Sequence, residues 1–124
     1  MDIQKINDTE LEQISGGADD VDGCTPYTIF SRAQAAIGAP AGTFGDTSMF
    51  VSYCITGEHR RIGTTQTFMS WPAVMTPVAG NICTNSSYCG IYAGNNQMIY
   101  VSSSAQKVIL ATKPADMIVV RYGG

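Results

Sequence analysis

Tyr88-Cys89-Gly90-Ile91-Tyr92-Ala93-Gly94-Asn95-Asn96-Gln97-Met98-Ile99-Tyr100 is two runs of aromatic, β-branched and small residues that meet at Gly-Asn-Asn. Glycine and asparagine accept the left-handed backbone of a tight hairpin turn, so the stretch predicts two antiparallel strands, over 88–93 and 97–102. Two further runs of the same character, 107–112 and 117–122, follow turns at Ser-Ser-Ala and Lys-Pro-Ala. The second half of the chain therefore predicts an antiparallel meander.

Upstream of Pro77 the apolar period lengthens. Thr25-Pro26 pairs an N-cap residue with proline at the first helical position, and Tyr27, Phe30, Ala33 and Ile37 recur at helical spacing, predicting a helix to about Ile37. Asp46 or Thr47 starts a second helix through about Ile55, with Phe50, Val51, Cys54 and Ile55 on its apolar face and Gly57 as its stop. A short third helix is expected over 64–71, before Pro72. Helices first and strands later predict one α+β domain, with the helices packed on a single sheet.

The first 17 residues are of another kind. Thr9 and Glu12 have the spacing of a capping box, Leu11 and Ile14 share a helical face, and Gly16-Gly17 end the turn. A short helix thus leads to a side-chain-free exit. The segment resembles the double-glycine leader of class II bacteriocins and microcins on Glu10, Leu11, Ile14, Gly16 and Gly17, with Ile6 at an outer apolar position. That resemblance implies recognition and cleavage after Gly17 by a peptidase-containing ABC transporter, with Ile6, Glu10, Leu11 and Ile14 read by the transporter. It implies a bacterial protein made in the cytoplasm and secreted.

The 124 residues include 7 basic and 10 acidic side chains, of which the leader holds Lys5 against Asp2, Asp8, Glu10 and Glu12. The remaining 107 residues are therefore formally neutral. With 14% charged residues and Arg60-Arg61 as the one basic pair, nothing suggests nucleic-acid binding. No apolar run is long enough to span a bilayer, and the N-terminus lacks the basic-then-apolar order of a secretory signal. Cys24, Cys54, Cys83 and Cys89 all follow the leader. An even count in a small exported protein favours disulfides, with three pairings open, Cys83 to Cys89 and Cys24 to Cys54 preferred, and reduced buried thiols as the alternative. Without C-x-x-C, and with His59 as the only histidine, neither a zinc site nor another cofactor is expected.

Three stretches after the leader resemble the NlpC family of cell-wall peptidases, whose fold is papain-like. Gly45-Asp46-Thr47-Ser48-Met49-Phe50-Val51 stands where that family has its Asp-Cys-Ser and helix. Pro77-Val78-Ala79-Gly80-Asn81-Ile82 corresponds to the strand start of the Pro-x-x-Gly-Asp-Leu type, and Tyr88-Cys89-Gly90-Ile91-Tyr92-Ala93-Gly94 to the His-Val-Gly-Ile-Tyr-x-Gly hairpin. The resemblance covers most of residues 25–122. It places Thr47 where the family has its cysteine, Tyr88 where it has its histidine, and Tyr100 where it has the third polar residue. A threonine hydroxyl is far less acidic than a thiol, and a tyrosine of ordinary pKa about 10 is protonated near neutrality, so these positions do not supply a nucleophile and base.

Relocated chemistry is the alternative. Cys54 falls at the C-terminal end of its helix, where the dipole raises a thiol pKa, and strand alternation turns Cys89 to the face opposite the old catalytic position. His59, beside Glu58, Arg60 and Arg61, reads as a solvated surface residue. Tyr88 and Tyr100 read equally as cleft-lining groups or as core, and Tyr92 and Trp71 as core. The expected function is that of a secreted antibacterial protein, a catalytically inactive NlpC-like domain that binds peptidoglycan or an envelope receptor, with an immunity protein as a further partner. The alternatives are a divergent peptidoglycan peptidase using Cys54 or Cys89, and an exported partner or inhibitor of cell-wall hydrolases.

Overall fold

The computed structural model describes residues 24–123, so the leader readings at Ile6, Glu10, Leu11, Ile14, Gly16 and Gly17 lie outside the described residues. Helix α1 is Pro26–Ala35, with Thr25 as its N-cap accepting from the Thr28 N–H. It ends two residues before the expected Ile37, because residues 38 and 39 leave the helix to bond a strand. Gly38 N–H donates to the Val108 carbonyl, and Val108 N–H to the Ala39 carbonyl. Helix α2, Thr47–Thr56, has the anticipated ends: the Asp46 carboxylate accepts from Met49 N–H, and Gly57 closes the helix at φ 78°. Helix α3 is one short turn and a half, Thr65–Met69.

The sheet comprises β1 (Ile82–Thr84), β2 (Cys89–Gly94), β3 (Gln97–Ser102), β4 (Lys107–Thr112) and β5 (Ile118–Val120), in the order β4-β3-β2-β1-β5. All pairings are antiparallel. Asn95 and Asn96, both at positive φ, form the two-residue turn between β2 and β3. β2, β3 and β4 form the first three runs of the expected meander, β1 adds a strand beside β2, and the last expected run departs from the meander. Instead of lying beside β4, it crosses back to pair with β1, matching Ile82 to Val120. Pro72 and Val74 then satisfy its other edge, through Arg121 N–H to the Pro72 carbonyl and Val74 N–H to the Val119 carbonyl.

Period-two alternation divides the sheet's side chains between two cores. Ile82, Cys89, Ile91, Ile99, Val101 and Val108 face the helices, where Ile29, Ala33, Phe50, Val51, Cys54 and Phe68 cover them. Cys83, Met98, Met117 and Val119 face the other way, beneath Val74, Tyr88, Tyr92 and Tyr100. This division separates the two thiols of one expected disulfide. Cys83 stands opposite Gly90, and Cys89 opposite Thr84, so the two thiols are on opposite faces of the sheet. Cys24 lies at the start of α1, whereas the Cys54 turn is held by Arg32, about two turns further along that helix, which donates to the Cys54 and Ile55 carbonyls. Among the described residues no disulfide forms, and all four cysteines are buried.

Gly80 fixes how the helices meet the sheet. Its φ is 103°, and a Cβ there would collide with the Pro26 carbonyl, so only glycine lets the start of α1 lie against the approach to β1.

Candidate functional site

The N-terminus of α2 abuts the beginning of β2. Thr47 Oγ1 accepts a hydrogen bond from Cys89 N–H at 3.2 Å and lies 3.6 Å from Cys89 Sγ. Around this junction two adjoining cavities of about 310 and 500 Å³ share Thr47, Tyr88, Val101 and Ser103. Tyr100 and Ser104 extend the first, and Gly42, Asp46, Ser87 and Gln106 the second. The structure thus brings Thr47, Tyr88 and Tyr100, distant in sequence, to one cleft. The two tyrosine rings are half-buried and lie 5.4 Å apart at 48°, on the sheet face away from the helices. They line the cleft and do not pack on α2.

Among the described residues Asp46 is the one charged residue on either cavity wall, and it is already neutralised. Its Oδ2 lies 2.7 Å from Arg61 Nη2, while Arg61 Nη1 donates to Ser48 Oγ at 3.1 Å. Burial pulls the Asp46 pKa upward, but the Arg61 hydrogen bond, the Met49 N–H and the Arg61 charge together hold it below the usual carboxylate value. Tyr88 is shifted the other way: burial first, then Tyr100 and Asp116, raise its phenol above the ordinary pKa. It is therefore a proton-bearing hydroxyl at physiological pH, not a base.

The thiols are poor nucleophiles. Cys54, Cys83 and Cys89 are all 0% exposed. Burial pushes Cys83 up to about 12 against a partial offset from Lys113. Burial also pushes Cys89 to about 12, against the Thr47 hydrogen bond, and raises Cys54 as well. The expectation for Cys89 is half corrected. It does face away from Tyr88, yet its sulfur is in contact with Thr47, because α2 packs on that same face.

His59 is exposed as expected, but it is not merely solvated. Its ring stacks on Phe44 at 5.5 Å and 5°, and lies 5.0 Å from Tyr53. It lines neither cavity. Tyr92 is half-buried with its hydroxyl accepting from Asn96 N–H, and Trp71 packs between Phe68 and Tyr122. Sequence reading missed the contribution of Ser102, Ser103, Ser104 and Gln106. The serine run was legible only as a turn, since its place beside Tyr100 depends on the β3–β4 hairpin folding over the helix terminus. No group of side chains suited to a metal ion occurs among the described residues, and no described helix is long and apolar enough to cross a membrane.

No family model and no curated protein matches the chain. Solved structures do. The peptidoglycan hydrolase RipB of Mycobacterium tuberculosis superposes with a TM-score of 0.63 at 21% identity, over 80% of this chain and 65% of that one. The P60 domain of an antigen from M. avium subspecies paratuberculosis gives 0.60 at 17%, over 80% of this chain and 95% of the domain. RipD of M. tuberculosis, a non-catalytic NlpC/p60 domain protein adapted to peptidoglycan binding, gives 0.56 at 15%, over 77% of this chain and 95% of its own. This chain spans about two thirds of the RipB chain it matches. The α+β architecture of its described residues, three α-helices against a five-stranded antiparallel sheet, is the papain-like fold of NlpC/p60 domains.

Proposed function

We propose that this chain is a bacteriocin-like antibacterial protein, exported through a double-glycine leader cut after Gly17, and that its NlpC-like domain binds an envelope target without hydrolysing it. The observation that carries the non-catalytic reading is the chemistry of the cleft. Where a peptidase of this fold would need a thiolate and an imidazole, the chain has a threonine hydroxyl engaged with Cys89 N–H and two tyrosines, one with a raised pKa. The inaccessible thiols of Cys54 and Cys89 weigh against a relocated peptidase. The likeness to RipD, a non-catalytic protein adapted to peptidoglycan binding, supports peptidoglycan as the envelope component bound. Glu10, Leu11, Ile14, Gly16 and Gly17 support export by a peptidase-containing ABC transporter, and a producing cell would then need an immunity protein.

Co-expression with such a transporter should release a chain beginning at Ala18. That chain should sediment with purified sacculi, inhibit related strains and liberate no stem peptides. Hydrolysis abolished by Cys54→Ala or Cys89→Ala would refute the non-catalytic reading. Absence of inhibition would refute the antibacterial one.

A further inference from the structure

A cleft whose described walls carry no unneutralised charge selects its ligand. The Asp46 carboxylate is held by Arg61 and by the N-cap bond to Met49, so among the described residues of the wall neither a carboxylate nor an ammonium group entering the cleft finds a free counter-ion. What the wall does offer is hydroxyls at Thr47, Ser103, Ser104, Tyr88 and Tyr100, and the amide of Gln106. Ser103, Ser104 and Gln106 are exposed, on the turn after β3, and the tyrosine rings form the floor beside them. The two cavities adjoin through Thr47, Tyr88, Val101 and Ser103, which makes a trough longer than one ring. Each feature matches the surface of a sugar. A pyranose has an apolar C–H face, suited to an aromatic ring, and a rim of hydroxyl and amide groups suited to hydroxyl and amide partners.

We infer that the trough takes an uncharged, linear saccharide, and that it reads the glycan of an envelope polymer rather than its charged peptides. This inference rests on the envelope-binding reading above and specifies the ligand of the same site. Tyr100 supplies a ring face, and the serines of the β3–β4 turn and Gln106 supply the polar rim. Because no ion pair is formed with the ligand, binding is insensitive to salt.

The test is calorimetric titration of the full chain with a β-1,4-linked N-acetylglucosamine tetramer and, separately, with a free peptidoglycan stem tetrapeptide, alongside sedimentation with intact sacculi. The tetramer should bind and the tetrapeptide should not, with an affinity unchanged between about 0.05 and 0.5 M salt. Tyr100→Ala should weaken the tetramer about tenfold, while Tyr100→Phe retains most of the affinity. Ser103→Glu, an exposed turn substitution that places a charge in the trough, should abolish it, with an unchanged melting temperature showing that the fold persists. Tetramer binding indifferent to both Tyr100→Ala and Ser103→Glu overturns the inference. So does tetrapeptide binding stronger than tetramer binding. If the tetramer fails while sacculi are still bound in a Tyr100-dependent way, the saccharide assignment falls and envelope binding stands. If sacculi binding ignores every cleft variant, the assignment of the saccharide to this trough falls and envelope binding stands; if sacculi are not bound at all, both fall.

Discussion

Thr47 is engaged as a structural acceptor. Its Oγ1 satisfies the N–H of Cys89 at the first residue of β2, joining the start of a helix to the start of a strand. Thr47→Val keeps the shape and removes the acceptor, so the Cys89 N–H is left without its partner. Loss of about 1–3 kcal/mol of unfolding free energy is expected in urea titrations. A value near zero would show that the bond is dispensable. The buried thiols tie stability to pH. Cys54, Cys83 and Cys89 have folded pKa values raised by burial, so their contribution to stability is intact below the unfolded thiol pKa of about 8.5 and is lost as pH rises toward their folded values. Native protein should resist thiol-directed alkylation at neutral pH, and its melting temperature should fall through the alkaline range. Rapid labelling of all three by a bulky reagent at pH 7 would contradict this burial.

Helix α2 illustrates how much a single element's ends can carry. Asp46 caps its first turn, Gly57 closes its last, and the loop beyond Gly57 folds back so that Arg61 reaches Asp46 and Ser48. Ser52, wholly buried, extends the same tie by donating to the Ser48 carbonyl while accepting from Ile62 N–H. Asp46→Ala should cost about 1 kcal/mol, chiefly the lost cap, and Asp46→Asn clearly less, because asparagine caps nearly as well. The ion pair adds little, since both partners are substantially exposed. Because the folded Asp46 pKa is depressed, its contribution is present above the unfolded value of about 3.9 and disappears as pH falls through the folded one. Acid unfolding of Asp46→Ala should therefore lack the part of the wild-type transition that lies in that range. Identical acid curves for both proteins would exclude the role.

The whole molecule depends on close approaches between segments far apart in sequence. Gly80, at φ 103°, admits the Pro26 carbonyl where any Cβ would collide, so it sets the distance between α1 and the sheet. Gly80→Ala should destabilise by at least about 1–3 kcal/mol from backbone strain, with the collision adding to it. Thermal unfolding by circular dichroism reads the loss, and a melting temperature within a degree of wild type would refute the packing. The cleft is the product of the same global arrangement. It exists because α2 points its N-terminus at the start of β2 while the β3–β4 hairpin folds beside it.

The features that can be read from the chain alone are mostly local. The turn at Asn95-Asn96, the bounds of β3 and β4, the Asp46 cap and the Gly57 stop follow from preferences acting within a few residues, and all were legible. The order of motifs around Gly45, Pro77 and Tyr88 also carried the fold. Long-range packing sends β5 back to β1, because its hydrophobic run suits either edge of the sheet and only the covering segment at Pro72 and Val74 selects one. It also placed Cys83 and Cys89 on opposite faces, which their spacing in sequence could not show. The hydroxyl-lined cleft was hidden for the same reason. Its walls come from a loop, a helix end and a strand turn, and no local preference brings Gly42, Thr47, Tyr88 and Ser103 together.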